Sequence, residues 1–203
     1  MVASVLDDKV VNHQILTFIG EQGTYKSSFM LNILPPHLRN YFATKNNSYQ
    51  LDKDDYLMLA ENIIISLEEI DSMTMKEINQ LKAFTTMPQV KERPPYGRHK
   101  VLMPRVASLC ATGNNLTFLT DQTGNRRWLP FHVESIDNPW TTDIPYEGMY
   151  AQAYALIEAG EQYWLNDKQI KELNERNKQF LTPDPATEMI VTYFTIPRTE
   201  SET

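Results

Sequence analysis

The chain has one cysteine, Cys110, so it can form no internal disulfide, and this fits a reducing cytoplasm. The two Asn-x-Ser/Thr sequons, at Asn46 and Asn115, then read as accidental. No apolar run approaches the roughly 18 residues needed to span a bilayer, and no secretory signal pattern opens the sequence, so no membrane partner is expected. His13, His37, His99 and His132 lie far apart with no cysteine at ligand spacing, which argues against a zinc site. Acidic residues outnumber basic ones, 26 to 19, for a net charge of −7. Overall charge therefore cannot attract a nucleic acid, and such a partner would need a local basic patch. With 41% apolar and 22% charged residues over 203 positions, the composition is that of an ordinary globular protein of one domain, or one and a half.

Against that background one stretch stands out. Gly20-Glu21-Gln22-Gly23-Thr24-Tyr25-Lys26-Ser27 follows the apolar run Ile15–Ile19 and leads into Phe29-Met30-Leu31, so it reads as strand, tight loop and helix. Backbone N–H groups and a helix N-terminus surround an anion in that setting. Lys26 would reach the outer phosphates and Ser27 would sit on a magnesium ion, with Gly20, Gly23, Thr24, Tyr25 and Ser28 completing the cradle. Tyr25 stands where glycine is usual, so its side chain must point away from the nucleotide or the loop must take a different path. A chance lysine-bearing turn is the plain alternative, and the motif needs support downstream.

That support comes in order along the chain. Asn62–Leu67 is a β-branched apolar strand that ends in Glu68-Glu69-Ile70-Asp71, and carboxylates at the end of a buried parallel strand are where an α/β sheet presents its chemistry. Glu68 is assigned to the metal shell and Glu69 to the attacking water, with Asp71 as substitute. The same acids suit a helix start at Ser72–Glu77, and both readings can hold. Lys91, Arg93, Arg98, Lys100 and Arg105 form a basic stretch around the turn signal Pro94-Pro95-Tyr96-Gly97. A projecting basic hairpin there could contact phosphates, with Tyr96 stacking on a base; a solvated loop is equally compatible. Val106–Thr112 reads as a third strand, ending near Asn114, whose amide could orient water against a terminal phosphate. Arg126 and Arg127 suit a clamp on a phosphoryl group, within the subunit or from a neighbour, unless they are ordinary surface arginines.

The phosphate loop, Glu-Glu-Ile-Asp, Leu81–Phe84, Arg93–Arg98, the strand ending at Asn114 and the run Phe118–Trp128 together resemble the virulence-associated protein E family. That family looks like the helicase-type ATPase part of primase-helicases from phages, plasmids and mobile elements, and is similar to superfamily 3 helicases and AAA+ ATPases. The resemblance implies Lys26 and Ser27 as the Walker A pair, Glu68 and Glu69 as the Walker B acids and Asn114 as the phosphate sensor. It implies Arg126 and Arg127 as an arginine finger acting across a subunit boundary, and Arg93, Tyr96 and Arg98 in a DNA-contacting hairpin insertion. Tyr25 for glycine and Glu68 for aspartate are its departures from the pattern.

The expected fold is an α/β P-loop NTPase, AAA+-like, with a mostly parallel sheet over residues 1–135 and a helical portion over 136–203. Helices are expected over Tyr150–Ile157 and Asp167–Phe180, the latter capped by Asn166 or Asp167, with a short third over Thr187–Phe194. Trp164, Leu165, Leu173 and Phe180 are read as packing residues, and the chain as a fragment of a longer protein. The leading expectation is magnesium-dependent ATP hydrolysis coupled to moving or unwinding DNA, single-stranded by preference, in an oligomeric ring. A non-hydrolysing nucleotide-binding module competes with it, and a small-molecule kinase is a weaker third.

Overall fold

Ile64–Leu67 and Ser108–Gly113 are buried at every residue, as strands covered on both faces must be. Both belong to the central sheet of the computed structural model, which describes residues 1–45, 51–120 and 125–183, together with 189, 190 and 193. In chain order the elements are α1 (Val2–Leu6), β1 (Ile15–Ile19), α2 (Lys26–Asn32), β2 (Phe42–Lys45), α3 (Lys53–Glu61), β3 (Ile64–Leu67), α4 (Met75–Thr86), β4 (Gln89–Glu92), β5 (Val101–Pro104), β6 (Ser108–Gly113), β7 (Trp128–His132), α5 (Tyr146–Glu158) and α6 (Asp167–Asn177). Among the described residues, five strands form one sheet in the order β2-β3-β6-β1-β7, and every pairing in it is parallel. The fold class read from the sequence holds, with a sheet parallel throughout. This order sets β3, β6 and β1 side by side, so their carboxyl ends share one edge, where open α/β sheets bind ligands.

The core has two sides. Met30 of α2 and Leu34 just beyond it pack with Ile64 and Cys110, while Ile78, Leu81 and Phe84 of α4 join Ile15, Ile65 and Leu109. Burying each such side chain stabilises the fold by roughly 1.5–3 kcal/mol. Cys110 is an inert part of this interior, its thiol pushed up to about 12 by burial. Thr74 caps α4 and Glu77 returns the bond to the Thr74 N–H, so the acids that precede this helix lead into a firmly started element.

The basic stretch does form a hairpin: β4 and β5 pair antiparallel, with Val90 opposite Met103. Val90 is buried and roots the hairpin in the core, while Lys91, Arg93, Tyr96, Arg98 and Lys100 are exposed. Arg105 departs from its sequence reading. It is 1% exposed, and its guanidinium donates to Ala107 O (2.9 Å), Phe84 O (3.2 Å), Thr85 O (2.5 Å) and Asn12 O (3.1 Å). The chain's turn from β5 into β6 carries it under the last carbonyls of α4, where a cation suits the helix dipole. Burial lowers its pKa to about 10, so it stays charged at neutral pH. Arg105→Met is expected to cost about 3 kcal/mol in urea unfolding, because it orphans buried carbonyls; Arg105→Lys recovers only part, lacking the planar fork.

In the C-terminal region α5 begins at Tyr146, earlier than expected, and buries none of its residues. Two phenols tie it to the end of α2: Tyr146 Oη donates to Asn32 O at 2.8 Å and Tyr150 Oη to Ile33 O at 2.9 Å. Asn166 caps α6 in a capping box with Gln169, as its sequence indicates. Leu173 and Phe180 are buried, but Trp164 is exposed beside Tyr163, contrary to its reading as packing. The helix expected over Thr187–Phe194 falls mostly outside the described residues, as do Asn46 and the 121–124 part of the arginine motif.

Candidate active site

β1 ends against β7, and Gly20 follows where a Cβ would stand 2.2 Å from Val133 O, so a side chain is excluded there. The Gly20 N–H donates to Gly113 O at 3.2 Å, which ties the start of the loop to the end of β6. Tyr25 caps α2 in the left-handed region (φ 62°, ψ 19°). The loop thus keeps the backbone that glycine would adopt, with the tyrosine 41% exposed. Holding a tyrosine there costs about 1–2 kcal/mol. Among the described residues the non-glycine positions with positive φ are Tyr25, Glu69 and Tyr96. Each lies on a loop singled out by the sequence, and such strain gathers at functional sites.

Lys26 is the buried centre of the loop. Its ammonium donates to Gly20 O (2.8 Å) and Glu21 O (2.6 Å), with longer contacts of 3.4 Å to Thr24 Oγ1 and Asn114 Oδ1. Burial lowers its pKa, and the negative charges of Asp71 and Glu68 work against that fall. Opposite it, Glu68 collects hydroxyls: Ser27 Oγ donates to Oε2 at 2.6 Å, Ser66 Oγ to Oε1 at 2.7 Å, and Thr112 Oγ1 also donates to Oε2. The longer glutamate side chain thus reaches hydroxyls on α2, β3 and β6 at once. Ser66 and Thr112 were missed in the sequence. Ser66 shares a strand face with Glu68 by its i−2 spacing, a readable signal; Thr112 becomes a partner only through the β3–β6 register.

Glu69 extends from its left-handed backbone into solvent, and among the described residues its carboxylate has no hydrogen-bond or ion-pair partner. Asp71 is not its substitute. Its Oδ1 accepts the Asn114 N–H at 3.1 Å and lies 2.7 Å from where a Cβ on Gly113 would be, so it fastens the end of β6 instead. Together Gln22–Ser28, Glu68, Glu69 and Thr112–Asn114 line an open cavity of ≈ 350 Å³. The geometry therefore brings the loop, both acids and Asn114 to one place. Ser27 Oγ and Glu68 Oε2 are hard oxygen donors that fit magnesium, which takes one or two protein ligands and otherwise water and phosphate. Such a shell needs no carboxylate cluster, and among the described residues no group of three or more His, Cys, Asp or Glu side chains is placed to hold a metal.

Arg126 and Arg127 are not at this cavity. They form a 3-10 turn just before β7, whose first residue, Trp128, is level with Ile15 at the start of β1. The Gly20–Ser27 loop leaves the other end of β1, about 16 Å away at ~3.3 Å per residue. That separation sets the pair away from the chain's own loop and leaves two of the sequence readings open, service to a neighbouring subunit and ordinary surface arginines. Arg127 Nε donates to Thr85 Oγ1 at 3.1 Å, and burial, then the nearby Arg126 charge, lowers its pKa. Arg126 is exposed and has no partner among the described residues. Thr85 also takes the Arg105 bond, so the arginine turn and the foot of the basic hairpin meet at the end of α4.

A family model described as the virulence-associated protein E-like domain matches residues 1–182. None of the curated proteins matches the chain. Among solved structures, the apo structure of the NrS-1 C-terminal region (305–718) is 16% identical with a TM-score of 0.50, over 88% of this chain and 38% of that one. An A-form apo structure of the NrS-1 C-terminal region is likewise 16% identical, with a TM-score of 0.48 over 94% of this chain and 45% of that one. The chain spans less than half the length of either neighbour, and at 16% identity the likeness to the first concerns the fold alone. Among the described residues no helix is long and apolar enough to cross a membrane.

Proposed function

This chain belongs to the virulence-associated protein E-like domain family, and from that premise we propose that it is the ATP-hydrolysing, magnesium-dependent part of a replication-related, helicase-type protein acting on DNA. The observation that carries the reading is the meeting of Lys26, the Ser27–Glu68 pair, Glu69 and Asn114 around one cavity at the carboxyl ends of three adjacent strands. Lys26 would exchange the loop carbonyls it now holds for phosphate oxygens. Glu69, unpartnered and facing water, would take the proton of the attacking water, and Asn114 would orient that water against the terminal phosphate. Ser27 and Glu68 would hold magnesium, which when bound neutralises charge on the phosphate oxygens. The hairpin cations and Tyr96 offer phosphate contacts and a stacking face to single-stranded DNA despite the net charge of −7. Arg126 would serve a neighbour's nucleotide, which requires head-to-tail packing and therefore a ring or filament.

ATP turnover with and without single-stranded DNA tests this, in the chain and in Lys26→Ala. The expected result is DNA-stimulated turnover that falls on the order of 100-fold or more in the variant, which removes charge where it develops in the transition state. Tight ATP binding without any turnover would sink hydrolysis and establish a nucleotide-holding assembly module instead. Transfer of phosphate to a small metabolite would revive the kinase reading.

A further inference from the structure

Beside the phosphate loop lies an aromatic run that the function above does not use. Phe29, 38% exposed, holds its ring centroid 5.2 Å from that of Phe18. Phe131, 43% exposed, meets Phe18 edge-on with centroids 6.3 Å apart. Phe18 and Phe131 are register partners on β1 and β7, so the run bridges the strand that feeds the loop and the edge strand next to it. At its outer end Arg176 sets its guanidinium 4.6 Å from the Phe131 ring centroid while donating to Pro130 O. Contiguous apolar surface left open in this way marks a binding face more often than a scattered exposed residue does.

Its position relative to the cavity indicates what binds. The acids after β3 and the amide after β6 all lie on one side of β1, and on the nucleotide reading they would hold the terminal phosphate there. A nucleotide runs from terminal phosphate to nucleoside, so the nucleoside leaves the loop on the opposite side. The next strand on that side is β7, and Phe29 stands about one turn along α2 from Lys26. The nucleoside end thus falls on the exposed rings. Resting on the nucleotide reading above, we propose that Phe29 and Phe131, joined through Phe18, are the shelf that holds the base of the bound nucleoside triphosphate, which stacks on the Phe29 ring and meets the Phe131 ring at an angle, since the two are inclined 38° and 79° to Phe18. Every base has a π-face, so such a shelf adds affinity without demanding a particular hydrogen-bond pattern, while Arg176 covers one face of the Phe131 ring and holds it in place.

Calorimetric binding of ATP and of inorganic tripolyphosphate, each with magnesium, separates the base from the phosphates. The shelf predicts ATP binding weakened ~10- to 100-fold in Phe29→Ala and in Phe131→Ala, with tripolyphosphate binding unchanged. Phe131→Tyr, which keeps the ring, should bind ATP like the parent chain. Phe29→Leu keeps apolar bulk without a π-face and should lose part of the affinity, which guards against an alanine variant that fails to fold. Unchanged ATP affinity in the alanine variants overturns the shelf and leaves the phosphate loop standing. Equal loss of both ligands also overturns it, because the rings would then be supporting the loop. Unchanged ATP affinity with altered sedimentation would make the face a subunit contact. A parent chain that binds neither ligand removes the nucleotide reading and the shelf with it.

Discussion

Replacing Glu69 with glutamine is expected to lower ATP turnover by about 10²- to 10⁴-fold, the usual worth of a positioned general base, while ATP binding stays near its parental value. Three features single out this carboxylate. Its backbone is held left-handed at φ 56°, which costs energy for a residue with a side chain and is relieved by nothing the side chain touches. It lines the cavity beside Lys26 and has no partner among the described residues, so it is available to a water molecule. Glu68, by contrast, is committed to hydroxyls on three elements, and Asp71 to the Asn114 N–H. Glutamine preserves shape and hydrogen-bonding reach but cannot take a proton. Parallel measurements of steady-state turnover and equilibrium ATP binding check the split. Turnover unchanged by the substitution would remove the base role from Glu69, and no other carboxylate on that cavity wall is free to inherit it.

Much of this site was legible before any coordinates because its parts are local. A phosphate loop, a pair of acids and an amide each sit at the end of a short apolar run, and parallel sheets bring such ends to one edge. What could not be read depends on register and on turns. Arg105 lies in a basic stretch and is indistinguishable there from Arg98; only the turn into β6 puts it under the carbonyls of Phe84 and Thr85. Asp71, two residues past Glu69, looks equally able to face the nucleotide, yet the 3-10 turn over Ile70–Ser72 directs it to β6. Trp164 reads as a core residue by size, but the segment between α5 and α6 leaves it in solvent. The arginine pair is the most instructive case, because the pairing of Ile15 with Trp128 sets it at the far end of β1 from the Gly20–Ser27 loop.

That register makes the second large effect a property of two subunits together. Arg126→Ala is expected to depress turnover by about 10³- to 10⁵-fold, the range for an arginine that stabilises phosphoryl-transfer charge, although the arginine turn lies about 16 Å along β1 from the chain's own Gly20–Ser27 loop. Arg126 is the better finger of the pair because its side chain is unpartnered and exposed. Arg127, half-buried and bonded to Thr85, holds the turn in place. The decisive measurement mixes two inactive variants. Arg126→Ala keeps an intact phosphate site and lacks the finger; Lys26→Ala keeps the finger and lacks the site. In a head-to-tail assembly mixed in equal amounts, about one quarter of the interfaces pair an intact site with an intact finger, so turnover should return to about that fraction of the parental rate. Failure to recover, with mixed assemblies confirmed by sedimentation, would show that the finger does not act between subunits. Since the strand register sets it at the far end of β1 from the chain's own loop, Arg126 would then have no catalytic part, and the variant's loss of activity would have to come from assembly alone.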